Sequence, residues 1–146
     1  MKPIAKLYIL IIIFSFIFDI FISHIPKVTA EDNEWLSAGN LLKQKGNYTG
    51  AIAAYNRALE IDPNYVNAWD GKGWALNELG NYTQAISYLN KALEIDPKHI
   101  DAFIFKGQSL YGLGNLTGAE YYFDKALEID PNNELAKRMY NNLIKK

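Results

Sequence analysis

The chain has 146 residues with 15 basic and 16 acidic side chains, two histidines and no cysteine. Without cysteine there is no disulfide, no thiolate nucleophile and no cysteine-bound metal, and two histidines are too few for a histidine-built metal site. The near-neutral charge gives no electrostatic footprint for nucleic acid.

Residues 1–30 read as a targeting segment. Lys2 and Lys6 precede Leu7 to Phe18, which is apolar apart from Ser15, and Asp19 then interrupts the run. A basic start, a short apolar core, and Val28 and Ala30 at the small-residue positions describe a secretory signal peptide cleaved after Ala30. The alternative is an uncleaved anchor giving membrane attachment through residues 7–25. That stretch is just long enough to span a bilayer, and Asp19 costs roughly 2.5–3.5 kcal/mol near the centre but less near the interface. Both readings keep the lysines on the cytoplasmic side. The rest of the chain is therefore expected to be extracytoplasmic, secreted or membrane-anchored. Loss of residues 1–30 removes Lys2, Lys6, Lys27 and Asp19 and leaves 12 basic and 15 acidic residues.

Residues 31–133 are built from a repeat. Ala-Leu-Glu-Ile-Asp-Pro occurs at 58–63, 92–97 and 126–131, and Gly-Asn-x-Thr at 46–49, 80–83 and 114–117. Each copy lies 34 residues after the last, as do Trp35, Trp69 and Phe103. A fixed period of this length marks stacked units, here 32–65, 66–99 and 100–133. Within the second unit, Ala68, Trp69, Ala75, Leu76 and Leu79 form one helical stripe, and Ala85, Ile86, Leu89, Ala92, Leu93 and Ile95 another. Gly80-Asn81 separates them, since glycine accepts the left-handed conformation that commonly ends a helix. Thr83 is placed to cap the second helix, and Thr117 with Glu120 to form a capping box. Pro97 closes the unit, because the residue before proline disfavours helical geometry.

Small residues point to close packing. Gly39, Gly73 and Gly107 fall on first helices and Ala51, Ala85 and Ala119 on second helices, an arrangement expected to set glycine against alanine. Tyr55, Leu89 and Phe123 are expected to fill the space between units, beside Ala58, Ala92 and Ala126. Residues 134–146 continue with Leu135, Met139, Leu143 and Ile144 among charged and amide side chains, as expected of a terminal capping helix.

On these residues the chain resembles the tetratricopeptide repeat (TPR) family. The family pattern falls on Trp35, Gly39, Leu42, Ala51, Tyr55, Ala58 and Pro63, then on Trp69, Gly73, Leu76, Ala85, Leu89, Ala92 and Pro97. It falls a third time on Phe103, Gly107, Leu110, Ala119, Phe123, Ala126 and Pro131. Ala38, Lys72 and Lys106 stand where the pattern has leucine. The resemblance implies an all-α helix-turn-helix solenoid, a right-handed superhelix of about seven helices.

It also implies a concave groove lined by one face of each first helix, a surface suited to a protein or peptide partner. Carried over by position, that face is Asn33, Leu36, Asn40 and Lys43; then Asn67, Asp70, Trp74 and Asn77; then Asp101, Ile104, Gln108 and Tyr111. Side-chain amides can pair with an extended peptide, and Trp74 and Tyr111 offer flat apolar contact. TPR domains that grip acidic chaperone tails use a clamp of two lysines, two asparagines and an arginine. Only Asn40 matches it here; the other positions hold Leu36, Gly71, Asp101 and Phe105. Neutral or basic segments are therefore the expected ligands.

Asn47, Asn81 and Asn115 each begin an Asn-x-Thr acceptor sequon for N-glycosylation, although a turn former followed by a cap accounts for the same residues. No phosphate-cradling loop, nucleophile elbow or metal-binding helix motif occurs, so no enzymatic activity, cofactor or metal is expected. Asp62-Pro63, Asp96-Pro97 and Asp130-Pro131 repeat with the period and read as helix terminators, and His99 as a lone turn histidine. The polar last helix argues against end-to-end stacking and for a monomer. A structural role in a cell-surface complex is the alternative to a binding scaffold.

Overall fold

The computed structural model describes residues 30–145, together with Ile13, Phe14 and Ile17, which are helical. The rest of the expected targeting segment lies outside the described residues. No helix among the described residues is long and apolar enough to cross a membrane. From residue 30 onward the described residues form seven consecutive helices: α1 (Ala30–Gln44), α2 (Tyr48–Ile61), α3 (Val66–Glu78), α4 (Tyr82–Ile95), α5 (Ile100–Gly112), α6 (Leu116–Ile129) and α7 (Glu134–Ile144).

The turns follow from a few side chains. Gly46, Gly80 and Gly114 take φ of 74°, 75° and 80°, where a Cβ is strained. Gly46 N–H bonds to Lys43 O and Asn47 N–H to Leu42 O, the paired bonds of a Schellman motif, and both recur at Gly80 and Gly114. The N-cap position of the next helix is held by asparagine, not by the expected threonine, and the asparagine side chain makes the cap bond at α2 and α6 but not at α4. Asn47 Oδ1 accepts from Gly50 N–H and Asn115 Oδ1 from Gly118 N–H, both at 2.9 Å. The second helices therefore start at residues 48, 82 and 116, which places Thr83 and Thr117 within the first turn. The aspartates before proline act as expected. Asp62, Asp96 and Asp130 end the second helices, and their carboxylates accept from Asn64, Lys98 and Asn132 N–H to turn the chain into the next helix.

Packing departs from the sequence reading at the glycines. Gly39, Gly73 and Gly107 face the large residues Tyr55, Leu89 and Phe123, not the alanines. Tyr55 is fully buried between α1 and α3, and its ring lies against both Gly39 and Gly71. Its hydroxyl donates to Asn40 Oδ1 at 2.8 Å. The core continues through Leu76, Leu89, Ile104, Phe105 and Phe123 to Ala136 and Leu143 of α7, which closes the stack. Leu79 and Ile95, assigned to apolar stripes from sequence, lie exposed, because each sits at the outer edge of its helix end. The lysines that replace the pattern's leucine are accommodated at the surface. Lys72 Nζ sits 3.8 Å from the Tyr88 ring centroid and Lys106 Nζ 4.3 Å from that of Tyr122.

Each helix packs on the next in sequence. In addition α1 lies close to α3, α3 to α5 and α5 to α7, whereas the backbones of α2, α4 and α6 stay farther apart from one another. The odd-numbered helices thus form the close inner row of a curved stack.

Candidate functional site

The inner row brings together six of the residues expected to line a groove. Leu36, Asn40 and Lys43 of α1, Asn67 and Asp70 of α3 and Asp101 of α5 surround an open recess of about 260 Å³, with Gly71 at its wall. Gln108 and Tyr111 of α5 line a second, more apolar pocket of about 140 Å³ with Phe123, Met139 and Asn142. The capping helix thus supplies part of the second pocket, through Met139 and Asn142.

The other expected groove residues are placed differently. Asn33 is exposed and accepts from Tyr65 O–H at 2.7 Å. Trp74 is half-buried, edge-on to Tyr48 at 5.6 Å and to Phe105 at 6.5 Å, with Lys43 Nζ 4.5 Å from its centroid. Asn77 and Ile104 are corrected from groove to interior. Asn77 is buried, donates to Phe105 O at 2.8 Å and accepts from Ser109 O–H at 2.7 Å. Ile104 is fully buried in the core. A helix in an inner row is flanked on both sides, so only part of its groove-side face reaches solvent.

His99 is the residue that sequence reasoning misjudged. It is largely buried, not a lone surface histidine: its side chain is 16% exposed, and Nε2 lies 3.3 Å from Asp70 Oδ2. On its other side Nδ1 lies 3.7 Å from Asp96 Oδ2. The period carried a signal for this. His99 stands 34 residues after Tyr65, whose hydroxyl also reaches back to the preceding first helix. A polar ring in that register meets whatever the earlier helix offers, here Asp70.

Asp70 is 8% exposed, and its Oδ1 has no hydrogen-bond partner. Burial pushes its carboxyl above the ordinary range, against the hydrogen bond from His99 that works to lower it. The hydrogen bond to Asp70 in turn raises His99. The pair therefore holds a proton to higher pH than a free histidine. Asp101, exposed at the same recess, completes a group of three whose ligating atoms lie within 4.8 Å of one another.

Comparison with known proteins agrees with this architecture. Two tetratricopeptide repeat family models match residues 36–100 and 76–143. No curated protein matches the sequence. Among solved structures, the first TPR domain of human RPAP3 superposes with a TM-score of 0.75 at 23% identity, covering 79% of this chain and 91% of that one. The first TPR of Spaghetti (RPAP3), bound to the HSP90 peptide SRMEEVD, gives 0.75 at 22% identity and covers 83% and 96%. A Thermobaculum terrenum O-GlcNAc transferase mutant gives 0.76 at 24% identity, with 79% of this chain covering 22% of that chain. At these identities the superpositions establish the fold. The overlapping family matches, the 34-residue period and the seven-helix stack together place this chain in the tetratricopeptide repeat family.

Proposed function

We propose that the chain is a binding scaffold that holds an extended peptide or partner segment in its concave groove. The observation that carries this reading is the recess shared by all three repeats, in which Asn40, Asn67 and Lys43 present polar groups beside Asp70 and Asp101. Amide side chains pair with the two-sided hydrogen bonding of a peptide main chain. The pocket at Tyr111 and Met139 offers a seat for one apolar side chain. A similar TPR domain holds the HSP90 peptide SRMEEVD. Here two carboxylates stand against Lys43 in the recess, which disfavours such an acidic tail and favours neutral or basic segments. Export follows from the basic and apolar residues 1–30, and exposure of Asn47, Asn81 and Asn115 leaves their amides accessible for glycosylation.

The test is a synthetic peptide array of acidic, neutral and basic segments, probed with the protein and with an Asn67→Ala, Gln108→Ala variant. Neutral or basic peptides bound by the first and lost by the second support the groove. Binding confined to acidic-tailed peptides, or equal binding by the variant, overturns it. Localisation is checked by fractionating source cells, where full-length, protease-protected protein in the cytosol would refute export.

A further inference from the structure

The group Asp70, His99 and Asp101 is not needed to hold a peptide main chain, and its composition calls for another account. We propose that these three residues form a binding site for a divalent transition-metal cation of the zinc type, on the wall of the groove. The donor set is one imidazole and two carboxylates. That combination suits zinc and its first-row neighbours, whereas calcium and magnesium prefer all-oxygen shells. Two carboxylates also balance a charge of +2 on the ion.

The geometry is already near what a metal requires. Tetrahedral zinc with bonds of about 2.0–2.1 Å to nitrogen and oxygen has ligand atoms roughly 3.3–3.4 Å apart. His99 Nε2 and Asp70 Oδ2 stand 3.3 Å apart. Asp101 is the outlying member, with all three ligating atoms within 4.8 Å. Its carboxylate is exposed at the start of α5, where no packing holds it in place. Asp70 supplies an independent sign of a missing partner. Its Oδ1 is the buried side-chain polar atom without a hydrogen bond among the described residues, on a residue 8% exposed that lines the recess. A buried carboxylate with one oxygen unpaired costs free energy, which a cation held by that same carboxylate offsets.

Two further features fit a metal. A metal-bound histidine characteristically turns its other ring nitrogen toward a carboxylate, which fixes ring orientation. Asp96 Oδ2 occupies that side of His99, 3.7 Å from Nδ1. An entry path also exists, because His99 and Asp101 line a shallow depression with Asp96, Lys98, Ile100 and Asn133. The opposing charge in the recess is Lys43, whose ammonium is held over the Trp74 ring. Its removal should tighten binding.

The experiment is isothermal titration of the full-length protein with ZnCl₂ alone, repeated in two buffers of different ionisation enthalpy, with Co²⁺ absorption as a spectroscopic readout. The expected result is one saturable ion per chain, release of a proton on binding, and a Co²⁺ spectrum of four-coordinate intensity. Asp101→Asn, on an exposed residue whose loss leaves the fold intact, should weaken binding at least about 10-fold, as should His99→Gln. His24→Gln should leave it unchanged and Lys43→Met should strengthen it. No saturable binding, binding unaltered in both Asp101→Asn and His99→Gln, or binding lost in His24→Gln would each overturn the site. The first of these leaves Asp70 and His99 as a hydrogen-bonded pair that ties the second repeat to the third.

Discussion

Replacing Gly39 with alanine tests how the inner row is held together. A Cβ at that position would lie 2.4 Å from Tyr55 Cε1 and 2.7 Å from Cδ1, where ordinary contacts are 3.4–4 Å. The ring would have to retreat by about 1 Å, as judged from typical carbon–carbon contact distances. Its freedom to move is limited, because Gly71 of α3 also lies against it, at a distance where a Cβ would come within 2.7 Å of Tyr55 Cζ. Overpacking of this kind costs about 1–3 kcal/mol. Alanine's better helix propensity returns about 0.8–1 kcal/mol. The net expectation is a loss of roughly 0–2 kcal/mol, or a fall in Tm of up to several degrees in a domain of this size. Urea and thermal unfolding followed by far-ultraviolet circular dichroism measure it directly. In a Tyr55→Ala background the same Gly39→Ala change should become neutral or stabilising, since the clash is gone and the helix propensity remains. The same effect of Gly39→Ala in the parent and in the Tyr55→Ala background would refute the account of Tyr55 as a wedge against Gly39.

Further outcomes follow from the same contacts. Burial first, and the nearby Asp70 charge second, push the Tyr55 hydroxyl up to about 12. A folded value above the unfolded one near 10 means that this contribution is complete below pH ~10 and lost as pH rises toward 12. Stability should fall by roughly 2–3 kcal/mol across that window on this account, less in the Tyr55→Phe protein; equal losses in both would contradict it. Asn115→Ala should cost about 1 kcal/mol because Asn115 Oδ1 caps α6 through Gly118 N–H, while Thr117→Ala should stay within about 0.5 kcal/mol. The reverse ranking would return the cap to threonine. Intact mass spectrometry of native protein should show additions at Asn47, Asn81 or Asn115, and a mass equal to the bare polypeptide would end that expectation.

Much of this protein was readable without coordinates because a repeat states its own register. The 34-residue period marked the three units, the glycines at 46, 80 and 114 marked the helix ends, and Asp-Pro marked the unit boundaries. Each of these is a local property, set by backbone conformations that only certain residues accept. The groove was legible only in part. Position along a first helix told which residues point inward, and Leu36, Asn40, Lys43, Asn67, Asp70 and Asp101 do meet there. Position could not tell which of them are covered by a neighbouring helix. Asn77 and Ile104 sit at groove spacing yet are buried, because α5 lies against α3 and the wall of the stack closes over them. Nor could spacing decide between Asn115 and Thr117 as the cap, since both can accept a backbone N–H and only the helix start selects one. The meeting of His99 with Asp70 joins residues 29 apart through the turn between repeats. The sequence by itself determined the helices and their order; distance, burial and charge at the recess were decided by how those helices lean on one another.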